Sequence, residues 1–110
     1  MSKSDILENV IAKDFRKGLL KFFILKMLDR VDMHGYAMMT KIEEVSGWKV
    51  SPGSLYPTLF NLSTQGFVKV KIVNMRKMFS LTTKGKNFIE QINSNFETGL
   101  NEINRIFNEL

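Results

Sequence analysis

Residues 49–85 read KVSPGSLYPTLFNLSTQGFVKVKIVNMRKMFSLTTKG, and the punctuation of this stretch leaves few ways for it to fold. Ser51 followed by Pro52 is a helix start. A serine oxygen accepts from the free N–H groups of a first turn, and proline at the first helical position gives up no hydrogen bond. Gly66 is the matching stop, with the helix ending near Gln65. From Phe67 to Val73 the residues alternate, Val68, Val70 and Ile72 on one side and Lys69 and Lys71 on the other, which is the pattern of a half-buried strand. Asn74–Lys77 reads as a short tip carrying Arg76 and Lys77. Met78–Thr82 returns as the partner strand, and Thr82-Thr83 opens another helix.

The flanks supply more helix. Residues 5–14 space Ile6, Leu7, Val10 and Ile11 helically, with Asp5 as a cap. A second helix, Phe15–Val31, buries Phe15, Leu19, Leu20, Phe23, Ile24, Met27 and Leu28 and is weakened at Gly18. Asp32–Gly35 is a turn. A helix from Tyr36 to Val45 follows, burying Tyr36, Met39 and Ile42 or their neighbours, and Ser46-Gly47 ends it. From Thr83 onward the chain is helical. Ile89, Ile92, Phe96, Gly99, Ile103, Ile106 and Leu110 recur at alternating spacings of three and four, a heptad seam. The predicted fold is mainly α with a β-hairpin wing: a winged helix-turn-helix with an N-terminal helix over residues 1–86, then a C-terminal dimerisation helix over 87–110.

Charge is unevenly placed. The net charge is +5, yet residues 66–86 hold Lys69, Lys71, Arg76, Lys77, Lys84 and Lys86 and no acid. Residues 87–110 instead hold Glu90, Glu97, Glu102 and Glu109 against Arg105. A basic block inside a folded unit is a polyanion footprint, nucleic acid before membrane. With no cysteine and a single histidine, His34, neither thiolate chemistry nor a histidine-built metal site is available. His34 reads as a turn or packing residue. The carboxylates are scattered, so no catalytic machinery, cofactor or metal is expected. The longest uncharged run, Val50–Val68, contains two prolines and two glycines and is no membrane span. The opening MSKSDILENV has an acid where the apolar core of a secretion signal would begin, which makes the cytoplasm the default location.

In the helix after Ser51, Leu55, Leu59 and Leu62 form a core face, and Ser54, Thr58, Asn61 and Gln65 are placed on the opposite face. This helix has no charge at all. Short neutral donors and acceptors can approach base edges in a major groove without a desolvated ion, and the N-terminus at Ser51 offers N–H groups to a phosphate. Pro57 falls in the second turn as a tolerated local bend. Tyr56 beside it is either a core residue or a phosphate contact, and spacing does not choose. Arg76 and Lys77 can reach a minor groove or the backbone, with Lys69 and Lys84 as further contacts. Double-stranded DNA is therefore the expected partner of a homodimer joined through Ile89, Ile92, Phe96, Ile103, Ile106 and Leu110. A protein–protein interaction module in transcription or chromosome machinery is the alternative. Phe15, Phe22, Met27 and Phe96 could line an apolar gap near the twofold axis for a small aromatic effector, or could close into core.

Several of these residues also form strings with a known pattern. His34-Gly35-Tyr36 opens the second core helix. Ser51, Gly53, Ser54, Leu55, Tyr56, Pro57, Leu59 and Leu62 follow, then Gly66-Phe67-Val68 and Leu81-Thr82-Thr83-Lys84-Gly85. Together they resemble the PadR family of winged-helix transcriptional regulators over about residues 15–90, in the short form with one C-terminal helix. The resemblance implies that the Tyr-Pro helix enters the major groove, that the wing touches the backbone or minor groove, and that C-terminal helices dimerise. It moves Tyr56 toward a DNA or phosphate role. The overall reading is a homodimeric, sequence-specific regulator that represses by occlusion, and the twofold dimer makes its expected operator an inverted repeat. Two departures stand out: the tip Asn74-Met75-Arg76-Lys77 is short and lacks Gly and Pro, and Met78 stands where an aromatic is common.

Overall fold

The computed structural model describes the backbone of residues 3–110 and the side chains of residues 15–110. The apolar face read into residues 5–14 and the cap assigned to Asp5 lie outside the described side chains. The elements run α1 (Lys3–Arg30), β1 (Met33–His34), α2 (Gly35–Ser46), α3 (Pro52–Thr64), β2 (Val68–Val73), β3 (Arg76–Leu81) and α4 (Thr83–Glu109).

Where two helices were expected before residue 31 there is one, running through Gly18. A glycine in a helix costs about 1 kcal/mol relative to alanine. Burial of Leu20, Ile24, Leu25 and Leu28 just beyond it outweighs that. These side chains meet Met38 and Ile42 of α2, Leu55, Leu59 and Leu62 of α3, Val68 and Phe79 of the sheet, and Ile89 of α4. In α2 the buried methionine is Met38, whereas Met39 is partly buried and Tyr36 is 70% exposed. Ile42 is buried as expected, and the neighbours Gly35 and Met38 take the places of Tyr36 and Met39.

The helix boundaries follow their caps. Gly47, at φ 76, sits in the left-handed conformation that stops α2, and its N–H donates to the Glu43 carbonyl at 2.8 Å. Ser51 caps α3 by accepting from the Ser54 N–H at 3.2 Å. Thr82 caps α4, its hydroxyl accepting from the Gly85 N–H at 3.0 Å and donating to the Gly66 carbonyl. One side chain therefore joins the end of α3's loop to the start of α4.

The turn expected at Asp32–Gly35 contains a strand. Met33 and His34 pair antiparallel with Phe79 and Met78, giving the sheet order β1-β3-β2. Strands β2 and β3 form a hairpin in which Val73 pairs with Arg76 and Ile72 with Lys77. The tip is therefore Asn74-Met75 alone. Both residues have positive φ, 51 and 64, as a two-residue turn of the primed type requires. Arg76 and Lys77 are not tip residues but the first two residues of β3. The alternation of β2 is as read, but only Val68 is buried. Val70 and Ile72 are 47% and 66% exposed, because the hairpin extends past the core that would have covered them.

Candidate nucleic-acid interface

The α2–α3 pair and the hairpin meet at a cleft. Gly35, at the start of α2, lies under the ring of Tyr56, and a Cβ added at Gly35 would come within 2.5 Å of the Tyr56 hydroxyl. The missing side chain is what lets α3 lay a tyrosine across the start of α2. Tyr56 is 42% exposed and borders a cavity of about 360 Å3 lined also by His34, Gly35, Tyr36, Arg76 and Lys77. No carboxylate lines it.

Cross-strand partners share a sheet face. The register therefore places Lys69, Lys71, Val73 and Arg76 on one face of the wing with His34, Met78 and Ser80. Lys77 lies on the other face with Val70 and Ile72. Lys69, Lys71 and Arg76 thus form a strip of three cations along one side of the hairpin, and Lys77 lies on the other side. Among the described residues only Glu102 and Glu109 form ion pairs with basic side chains, both with Arg105 on α4.

The polar row of α3 lies elsewhere than expected. At about 100° per residue, Ser54, Thr58, Asn61 and Gln65 stand roughly a quarter turn from the leucine stripe, not opposite it. Thr58, Asn61 and Gln65 instead border a cleft of about 350 Å3 with Lys17 and Lys21 of α1. Two hydroxyls of the row are already engaged: Thr58 donates to the Ser54 carbonyl at 2.8 Å, and Ser54 is held by the Ser51 hydroxyl at 3.2 Å. The outward face carries Gly53, Pro57, Phe60 and Thr64, with Phe60 68% exposed. Sequence reading passed over Phe60. The available signal was an aromatic residue well outside the stripe set by Leu55, Leu59 and Leu62.

Lys84 is exposed and makes a contact within the chain. Its ammonium donates to the Gln65 carbonyl at 2.8 Å and sits 4.9 Å from the centre of the Phe67 ring. It thereby ties the start of α4 to the C-terminal end of α3. In α4, Ile89 is buried in the chain's own core and Ile92 packs against it, so the part of the apolar seam left exposed starts beyond them. Phe96, Ile103, Ile106 and Leu110 remain exposed. Of the residues proposed to line an effector gap, only Met27 borders the apolar cavity of about 420 Å3 between α1 and α2, beside Phe23, Ile42 and Val45. Among the described residues no group of acids and histidine could hold a metal ion, and no helix is long and apolar enough to cross a membrane.

Two helices in succession, the second rich in neutral polar groups, backed by a third and followed by a basic hairpin, define a winged helix-turn-helix. The family model described as the transcriptional regulator PadR-like family matches residues 24–91, and this chain belongs to that family of transcriptional regulators, which are not enzymes. It is 34% identical over 80 residues to transcriptional regulator YqjI of Escherichia coli, covering 70% of this chain and 39% of that protein. It is 30% identical over 78 residues to transcriptional regulator Rv3488 of Mycobacterium tuberculosis, covering 67% and 72%. The chain thus spans about two-fifths of the first of these relatives. Among solved structures, a PadR-like transcription factor from Bacteroides fragilis superposes with a TM-score of 0.72 at 25% identity, covering 87% of this chain and 97% of that one. Bacillus subtilis PadR, solved in complex with operator DNA, superposes at 0.61 with 28% identity, covering 66% and 44%.

Proposed function

We propose that the chain is a sequence-specific DNA-binding regulator that acts as a homodimer on an inverted-repeat operator and represses by occluding it. The observation that carries this reading is the cleft in which Tyr56 of α3 meets Tyr36 of α2 and Arg76 and Lys77 of the wing, with no carboxylate among its lining residues. A helix that reads bases and a hairpin that grips the backbone must act on one duplex together, and here both border one anion-friendly cavity. Bacillus subtilis PadR, with operator DNA bound, supplies the analogy.

In this reading Asn61 and Gln65, with the exposed Phe60, address base edges. Phenylalanine can contact a thymine methyl group. Lys69, Arg76 and Lys77, together with Lys17 and Lys21 beside the polar row, neutralise phosphates. Residues 1–86 form the DNA-binding unit, and residues 87–110 join two copies. A twofold dimer presents two α3 helices, so half-sites should lie about 34–36 Å apart or a multiple of that. A mobility-shift assay of the full chain with genomic fragments against random DNA tests the function. Asn61→Ala should change discrimination between sites by about 1–3 kcal/mol. Equal affinity for every duplex, or one isolated half-site protected at saturation, would contradict the reading.

A further inference from the structure

His34 ends β1 and lies across from Met78, on the same face of the sheet as Lys71 and Arg76. Its Nδ1 is 2.8 Å from the Lys77 carbonyl oxygen. A carbonyl oxygen only accepts, so Nδ1 carries the ring proton and Nε2 is the basic nitrogen of the neutral imidazole. The ring borders the cavity of about 360 Å3 that is also lined by Gly35, Tyr36, Tyr56, Arg76 and Lys77, the last meeting the ring through its backbone carbonyl. The side chains of Tyr36, Tyr56 and Arg76 can each donate a hydrogen bond. Neutral Nε2 is the exception, because it presents a lone pair.

An oxyanion entering this cavity is offered the donors of Tyr36, Tyr56 and Arg76. With Nδ1 held by the Lys77 carbonyl, Nε2 is the ring's remaining polar atom, and its lone pair repels an oxyanion unless the ring binds a second proton. Protonation turns that contact into a charge-assisted hydrogen bond. Anion binding and proton uptake by His34 are then the same event. Lys71 and Arg76 from the sheet, Lys77, Tyr36 from α2 and Tyr56 from α3 are the titratable groups around the ring. Lysine, arginine and tyrosine ordinarily keep their charge states between about pH 5.5 and 8, so histidine is the group whose charge changes there.

We propose that this cavity seats one backbone phosphate of bound DNA and that His34 is its proton-dependent ligand, taking one proton from solvent at Nε2 as the phosphate enters. The inference rests on the DNA-binding reading and extends it: affinity for DNA rises as pH falls, through one residue that also closes the sheet edge.

His34 is the only histidine, so its Cε1–H resonance is a single, assignable proton NMR signal. Titrating the full chain from pH 5.5 to 8, alone and with a saturating operator duplex, should show the His34 midpoint move up by about one unit when DNA is bound. Affinity should then rise about tenfold per occupied cavity as pH is lowered through that range. His34→Gln keeps a neutral donor and should bind DNA with that slope removed. An unmoved midpoint in the wild type, or the same pH slope in His34→Gln, overturns the assignment. Absence of any DNA binding at pH 6 and at pH 8 overturns the DNA-binding reading itself, a result distinct from a duplex bound with pH-independent affinity.

Discussion

The two ends of α4 carry one continuous apolar period and meet different surroundings. Its first turns are built into the protomer. Thr82 caps it, Gly85 lies against the Phe67 carbonyl, Phe88 stacks on Phe67 with ring centres 4.5 Å apart, and Ile89 is fully buried. From Phe96 to Leu110 the same period presents Leu100, Ile103, Ile106 and Phe107 to solvent. Nothing in the spacing of apolar residues marks the change. A heptad seam says which residues want burial, and only the placement of other elements says whether the chain itself provides it.

The largest expected effect lies at the inner end. A Cβ at Gly85 would press far inside van der Waals contact of the Phe67 carbonyl oxygen, and that oxygen is backbone with no rotamer to escape into. Gly85→Ala should therefore destabilise the fold at or beyond the upper end of the usual overpacking range of about 1–3 kcal/mol. Urea denaturation measures it. A variant with unchanged midpoint would mean that the inner end of α4 is no more fixed than the outer.

At the outer end the expected loss is of association. Ile103→Glu with Ile106→Glu places two charges in the exposed seam. If two copies bury that seam, light scattering should show the dimer weakened by at least about two powers of ten, as for loss of interfacial hot spots. Far-ultraviolet dichroism should still show a folded protomer, because neither residue touches the core. Unchanged mass, or loss of the fold, would erase the distinction between the two ends.

What was legible in the sequence follows the same division between local and distant causes. The starts of α3 and α4 were readable because capping needs only Ser51-Pro52 and Thr82-Thr83 and the backbone beside them. The strand β1 was not, since two residues have no period and exist as a strand only through Phe79 and Met78. The tip was misplaced because a two-residue primed turn usually announces itself as Asn-Gly. Here Met75 takes the second position at φ 64, which hid the turn and pushed Arg76 and Lys77 out to the tip in the reading. The row Ser54, Thr58, Asn61, Gln65 was correctly grouped on one helix face. Its neighbours Lys17 and Lys21 are set by how α1 crosses α3, which no local pattern reports. The bond from Lys84 to the Gln65 carbonyl, nineteen residues earlier, was likewise out of reach of any local pattern.

A smaller effect is expected on the wing, which like the outer end of α4 leaves its core behind. Arg76→Ala removes a cation from an exposed strand, so stability should hold within about 0.5 kcal/mol. DNA binding should weaken on specific and random duplexes alike, with the salt slope reduced by about 1. A loss confined to the operator would make Arg76 a base reader and not a backbone contact.

The smallest effect concerns what keeps the outer end of α4 helical without packing. Arg105 bridges Glu102 at 2.9 Å and Glu109 at 2.6 Å, one turn before and one after. All three side chains are more than half exposed, so water and salt screen the pairs. Each should contribute about 0.3–0.5 kcal/mol to helix stability, in the range of exposed pairs spaced three or four apart. Arg105→Ala should therefore lower stability by less than about 1 kcal/mol, and the difference should shrink in 1 M salt, as read from paired thermal melts. The inner end of α4, held by a buried isoleucine and a capped first turn, has no such salt dependence to lose. A loss of several kcal/mol, persisting in salt, would mean that Arg105 reaches across to a second copy. The outer end would then be held by its partner's charges as well as by its apolar seam.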